Sequence, residues 1–133
     1  MQSKAILGHA ETTRILAGAR AEALKNHWAV AIAIVDDGGH LLALERLDNA
    51  APSASYIATG KARTSALGRR DSKVYEDMVA GGRTAFLSAD LMTCLEGAVP
   101  IRHDGQVIGA IGVSGVKASE DAQVARAGAA CLE

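Results

Sequence analysis

Apolar side chains recur every three or four residues in four stretches of the chain, which is the spacing of one face of an α-helix. The first stretch covers residues 3–26, and the second, residues 52–67, begins at serines that can cap a helix. The third covers residues 72–80 and ends at a glycine pair, and the last covers residues 119–131, with a serine as its expected cap. The pattern therefore predicts four helices, whereas residues 83–95 are ambiguous.

Two further parts of the chain have the short apolar runs and tight turns of β-hairpins. The turns are Asp-Asp-Gly-Gly at residues 36–39 and Asp104-Gly105. Pro100 lacks a backbone N–H and therefore predicts an edge position for its strand. Because hairpins pair antiparallel, the order helix, hairpin, two helices, hairpin, helix indicates an α+β fold with helices packed on one sheet. The predicted strands are residues 29–35, 40–47, 98–103 and 106–113.

Small residues dominate the composition, and large ones are scarce. Of the 133 residues, 27 are alanine and 14 are glycine. The aromatic side chains are limited to Trp28, Tyr56, Tyr75 and Phe86. A length of this order fits a single domain over residues 1–133. Since small side chains add little bulk to its core, we expect part of the burial to come from contacts between subunits.

Charge and apolar run lengths exclude several classes of partner. The chain carries 14 Lys and Arg against 15 Asp and Glu, so no basic stripe is available for a phosphate backbone and we expect no nucleic-acid partner. The longest apolar run, residues 28–35, is far too short to span a membrane, and the first residues lack the apolar core of a signal peptide. Cys94 and Cys131 are too few for a disulfide framework. We therefore expect a cytoplasmic protein without a membrane partner.

Several long segments resemble one protein family, in the same order along the chain. They are residues 34–48 (IVDDGGHLLALERLD), 55–66 (SYIATGKARTSA) and 97–115 (GAVPIRHDGQVIGAIGVSG), followed by Asp121 and Ala127-Gly128 in the last helix. On these segments the chain resembles the GlcG/HbpS-type haem-degrading domain family and the carboxy-terminal domain of PduO-type proteins. The resemblance implies a profilin-like α+β fold with about five antiparallel strands. It also implies haem as the cofactor, otherwise none, and dimers that assemble further to tetramers or octamers.

The candidate catalytic residues are Glu96, Lys61 and Arg83. Lys61 falls where the family pattern has its lysine, and its cation, like that of Arg63 nearby, suits a carboxylate, a propionate or an enolate oxygen. Glu96 lies beside an apolar strand, where a carboxylate suits a general acid or base. Paired with Lys61 or Arg83, Glu96 would suit proton abstraction next to a carbonyl. The alternatives are a solvated lysine, a surface arginine and an exposed loop glutamate.

A second set of residues is expected to bind the ligand itself. The glycine pair before Arg83 frees backbone N–H groups for an anionic or oxygenated ligand, and its alternative is a helix C-cap. His27, like His9, is a candidate haem-iron ligand, although a solvated histidine is the commoner outcome. No histidine pair has the spacing of a metal site within one helix, so the metal is unknown. The ligand-binding candidates are Arg46, Glu76, Gly81, Gly82 and His27.

The candidate residues leave three functions open. The first is a small-ligand-binding protein of the haem-degrading domain family that takes haem, another tetrapyrrole or an anionic oxygenated metabolite. The second is a catabolic enzyme with lyase- or isomerase-type proton transfer on a small oxygenated substrate. The third is a non-catalytic accessory subunit. The scarcity of aromatic residues counts against a conventional haem pocket and keeps the other two open.

Overall fold

The computed structural model describes residues 1–132, in which four helices and four strands follow in the order helix, two strands, two helices, two strands, helix. Two 3-10 turns, Thr84–Ser88 and Ala130–Leu132, complete the regular structure. In chain order the helices are α1 (His9–Lys25), α2 (Ser53–Gly68), α3 (Lys73–Ala80) and α4 (Ala118–Ala129). The strands are β1 (Ala31–Asp36), β2 (Leu41–Arg46), β3 (Ala98–His103) and β4 (Gln106–Ser114).

The strands form one antiparallel sheet in the order β2-β1-β4-β3. Both predicted hairpins are present, and the α+β prediction is confirmed. β3 lies at an edge, as Pro100 predicts, because an edge strand leaves one side of its backbone unpaired. Residues 1–132 contain four strands, which corrects the expectation of about five.

The two faces of the sheet carry side chains of different size. Ile32 and Ile34 of β1, with Val30 just before the strand, pack beneath α1 and α4 with the other bulky core residues. Ala31 and Ala33 face the opposite way, against the alanines of α2. The alternation along β1 therefore assigns the bulky core to one face and a tight alanine contact to the other.

The contact between α2 and the sheet depends on a glycine of β4. Gly112 lies opposite Ala33 of β1. A Cβ atom at Gly112 would come within 2.5 Å of the backbone nitrogen of Ala62 and would also overlap the carbonyl oxygen of Ala58. The backbone of α2 therefore rests directly on the backbone of β4, which only glycine allows at this position.

Both terminal helices begin at different residues from those the sequence predicts. α1 begins at His9 rather than at residue 3, because the N–H of Gly8 bonds to the Glu11 carboxylate at 2.9 Å and caps the helix there. The residues before Gly8 are not helical, although Leu7 is buried in the core. α4 begins at Ala118, since the N–H of Lys117 and not a serine hydroxyl makes the capping contact, at 3.2 Å from Glu120.

The ambiguous residues 83–95 contain one 3-10 turn and otherwise no regular structure. Phe86 stacks on Tyr75 of α3 with ring centroids 5.0 Å apart. The segment is held to α2 by two hydrogen bonds, from Arg63 Nε to the Leu91 carbonyl (3.0 Å) and from the Thr93 N–H to Thr64 Oγ1 (2.6 Å). These contacts link distant residues, which explains why local periodicity does not predict the segment.

Candidate functional site

An open groove of ≈ 730 Å³ lies between β2 and the part of α2 that extends from Ser55 to Arg63. β2 supplies Leu44 and Arg46, which share a face with Ala33 and Ala31, and that face is turned toward α2. α2 supplies residues at helical spacing, so that their side chains follow one face of the helix. The complete lining is Leu44, Arg46, Pro52, Ser55, Tyr56, Thr59 and Arg63.

The groove, named here the β2–α2 groove, combines positive charge with apolar surface. Arg46 and Arg63 approach it from facing elements, and neither forms an ion pair within residues 1–132. Leu44, Pro52 and the Tyr56 ring supply apolar wall, and Tyr56 is 83% exposed. A groove of this volume and polarity suits a small ligand with an apolar body and an anionic group.

Lys61 does not line the β2–α2 groove. Its side chain is buried, and Nζ donates to the Val113 carbonyl at 3.0 Å and to Asp121 Oδ2 at 3.1 Å. The other oxygen of Asp121 accepts the N–H of Val116 at 3.1 Å. Burial raises the pKa of Asp121, while the charge of Lys61 opposes that change. The pair joins α2, the end of β4 and the start of α4.

The acid–base pair expected from Glu96 is not formed. Within residues 1–132, Glu96 makes no ion pair with Lys61 or Arg83. The Lys61 ammonium is turned to Asp121, and Gly97 lies so close that a Cβ there would be 2.7 Å from Nζ. The Lys61 ammonium is therefore paired with Asp121, and the spacing of the sequence motifs does not predict this contact.

Glu76 and Glu96 lie together at the side of α3. The backbone N–H of Glu96 donates to Glu76 Oε1 at 3.4 Å. Arg83 is exposed, and its guanidinium lies 5.8 Å from the centre of the Phe86 ring. None of Glu76, Glu96 and Arg83 lines the β2–α2 groove.

The glycine pair and His27 also lie outside the β2–α2 groove. The N–H of Gly81 donates to the Asp77 carbonyl at 2.8 Å and ends α3, and Gly82 has a φ of +110°. The pair therefore acts as a helix C-cap, which is the alternative that the sequence left open. His27 follows α1 with a φ of +59° and lines a separate depression beside Trp28.

Of the predicted ligand-binding residues, the β2–α2 groove contains Arg46 alone. Sequence reasoning misses Ser55, Tyr56 and Thr59. A signal for two of them was present, since Ser55, Thr59 and Arg63 are spaced four residues apart and share a helix face. Nothing in the sequence placed that face opposite Arg46, because β2 and α2 come together only when α2 packs on the folded sheet.

Metal-binding side-chain clusters and membrane-spanning helices are both absent from the part of the chain that the structure describes. No group of three or more His, Cys, Asp or Glu side chains within residues 1–132 is arranged to hold a metal ion. No helix in the same range is long and apolar enough to cross a membrane.

Fold and groove together define a class of protein: an antiparallel α+β domain with an open, cationic groove between a strand and a helix. The family described as "Haem degrading protein HbpS-like" matches residues 7–130, so the chain belongs to that family. It is 58% identical over 114 residues to protein GlcG of Escherichia coli strain K12, which covers 86% of this chain and 85% of that protein.

Solved structures agree with this assignment. A double mutant of Streptomyces reticuli HbpS is 28% identical, covers 100% of this chain and 91% of its own, and superposes with a TM-score of 0.90. A PduOC:haem complex is 23% identical, with 96% and 95% of the two chains covered and a TM-score of 0.86. The second likeness is one of fold.

Proposed function

We propose that this protein binds a small anionic ligand, haem or another tetrapyrrole in the first instance, in the β2–α2 groove. The observation that carries the proposal is the placement of Arg46 and Arg63 on facing elements of a partly apolar groove. Arginine forks pair with carboxylates in a bidentate manner, as the propionates of haem or the carboxylates of an organic acid require.

The lining residues fit a tetrapyrrole in three respects. The two arginines suit propionates, Leu44 and Pro52 suit the macrocycle, and Tyr56 carries the one lining side chain of a type that ligates haem iron. The description of the family and the haem complex of a protein of the same fold support this choice. Haem, when bound, supplies a redox-active iron. Arg46 and Arg63 would orient it, and the hydroxyls of Ser55 and Thr59 would satisfy remaining polar groups.

The openness of the groove supports self-association. Four apolar residues on β2 and α2, the two elements that form the groove, are each more than two-fifths exposed: Leu42, Leu44, Tyr56 and Leu67. An apolar surface of this kind is a usual contact between protein subunits. We propose that a second copy of the chain covers this surface, in a dimer, a tetramer or an octamer, and closes the groove over its ligand.

A substitution within this apolar surface tests the assembly. We expect Leu67→Asp to shift the protein to a smaller species in light scattering after size-exclusion chromatography, because a buried, unpaired carboxylate weakens an interface. Leu24→Asp on α1 is the matched control, since Leu24 is also exposed but lies on the other side of the sheet. Identical masses for the wild type and Leu67→Asp would exclude this surface as the contact.

Haem titration tests the ligand. We expect the wild type to bind haem saturably with a shift of the Soret band. Arg46→Gln and Arg63→Gln should each weaken binding about 10- to 100-fold, the effect of losing one charge-assisted hydrogen bond. The measurement is the dissociation constant at fixed ionic strength, with a thermal melt of each variant to confirm folding.

Two controls accompany the titration. Arg14→Gln removes an exposed arginine of α1 outside the groove and should leave binding unchanged. Arg63→Lys keeps the positive charge but removes the hydrogen bond from Arg63 Nε to the Leu91 carbonyl. Its dissociation constant therefore tells whether the charge or this hydrogen bond matters for binding. A wild type that gives no Soret shift at stoichiometric haem is incompatible with a haem-binding role. An equal effect of Arg14→Gln would place the haem elsewhere.

A further inference from the structure

A second cationic cleft lies at the carboxyl end of α2, where the residues that precede α1 cross the β3–β4 hairpin. It has a volume of ≈ 390 Å³ and shares no lining residue with the β2–α2 groove. Three cationic side chains line it, those of Lys4, Arg69 and Arg102. The side-chain amides of Gln2 and Gln106 add hydrogen-bond donors.

The charges in this cleft are unbalanced. Lys4 pairs with Asp37 at 2.9 Å, and the bond from Lys4 holds the pKa of Asp37 below its usual range, with a smaller contribution from Arg69. Three cations against this one carboxylate leave an excess of two positive charges. Within residues 1–132 neither Arg69 nor Arg102 forms an ion pair, and the exposed Asp104 of the adjoining turn does not line the cleft.

The backbone holds the two arginines close together. The β3–β4 register shifts between Ile101 and Arg102, and an irregularity of this kind turns a side chain away from its regular direction. Arg102 Nη2 donates to the Arg69 carbonyl at 3.3 Å, which places its guanidinium against the residue that ends α2. Arg69 has a φ of +58°, a conformation that glycine adopts without strain.

We propose that this cleft binds a small polyanion that carries two or more carboxylate or phosphate groups. At roughly 30 Å³ per water molecule in the liquid, the volume corresponds to about a dozen waters, which is room for an ion of the size of citrate or pyrophosphate. Guanidinium groups match both carboxylate and phosphate oxygens, and two of them side by side favour a ligand with two anionic groups over one. The site is independent of the proposed function of the β2–α2 groove.

Isothermal titration calorimetry of the full chain at low salt tests the proposal with citrate, pyrophosphate and acetate. We expect saturable binding of citrate or pyrophosphate at one site per chain and no saturable binding of acetate. The polyanion that binds more tightly tells whether carboxylate or phosphate chemistry is preferred. Arg69→Gly and Arg102→Gln should each weaken binding about 10- to 100-fold.

The variants are chosen so that unfolding does not imitate a loss of binding. Because glycine favours the conformation of residue 69, Arg69→Gly should melt at the wild-type temperature or above. Arg70→Gln removes the neighbouring arginine, which lies over the Tyr75 ring and not in the cleft, and should leave binding unchanged. No saturable heat with either polyanion overturns the proposal. The proposal is also overturned if Arg70→Gln weakens binding as much as Arg69→Gly does, or if both cleft variants bind with wild-type affinity.

Discussion

We expect Lys61→Met to lower the free energy of unfolding by about 3–5 kcal/mol, because it leaves Asp121 as an uncompensated buried charge. The side chain of Lys61 is 4% exposed and that of Asp121 is 3% exposed, and the substitution also removes a donor from the Val113 carbonyl. Chemical denaturation, followed by circular dichroism, measures the difference as a change in midpoint at a constant m-value.

A second variant separates the ion pair from packing. In Lys61→Met/Asp121→Leu both charges are absent, and we expect the double variant to recover a large part of the lost stability. Lys73→Met is the matched control, since Lys73 pairs with Asp77 at 2.9 Å on an exposed face, and we expect no measurable change. If Lys61→Met were as stable as Lys73→Met, the buried pair would contribute nothing to the fold and Lys61 would be free for another role.

We expect Gly112→Ala to destabilise the protein by about 1–3 kcal/mol and Gly112→Val by about 3 kcal/mol or more. An added side chain meets the backbone of α2 at Ala58 and Ala62, which has no side-chain rotation to relieve the overlap. The helix must then move away from the sheet and loosen the alanine contact along its length. Thermal melts of both variants measure the effect, and the valine variant should show the lower midpoint.

A surface glycine supplies the control for Gly112. At Gly38 the atoms near an added Cβ belong to the exposed ring of His40 and to Asp36, and a rotation of the histidine removes the contact. Gly38→Ala should therefore change the midpoint little. A movement of α2 in Gly112→Val should also alter the β2–α2 groove and weaken haem binding. Equal melting of Gly112→Val and Gly38→Ala would contradict direct backbone packing.

Much of the fold follows from local pattern. The alternation in β1 separates Ile32 and Ile34 from Ala31 and Ala33, and this separation indicates both a strand and the two kinds of neighbour that it meets. Pro100 predicts the edge position of β3 because a missing N–H cannot serve an inner strand. The start of α1 is not predicted, since apolar spacing continues through Leu7, which is buried without being helical.

The candidate site depended far more on the tertiary structure. The sequence placed Arg46 at a strand end and named Lys61 as a candidate cation, but charge and spacing do not tell which cation faces solvent. The sheet places Arg46 in the same groove as Arg63, whereas packing turns Lys61 inward to Asp121, sixty residues away in the chain.

The sequence by itself determined the helices, the hairpins and the family, because each rests on short-range periodicity, turn chemistry or long runs of matching residues. The tertiary structure alone decided which side chains meet. Arg46 and Arg63 line one groove, and Arg102 bonds to the Arg69 carbonyl, only because strands and helices distant in sequence pack side by side. Local periodicity does not predict contacts between residues that are distant in sequence. The two cationic surfaces can therefore be identified only in the tertiary structure.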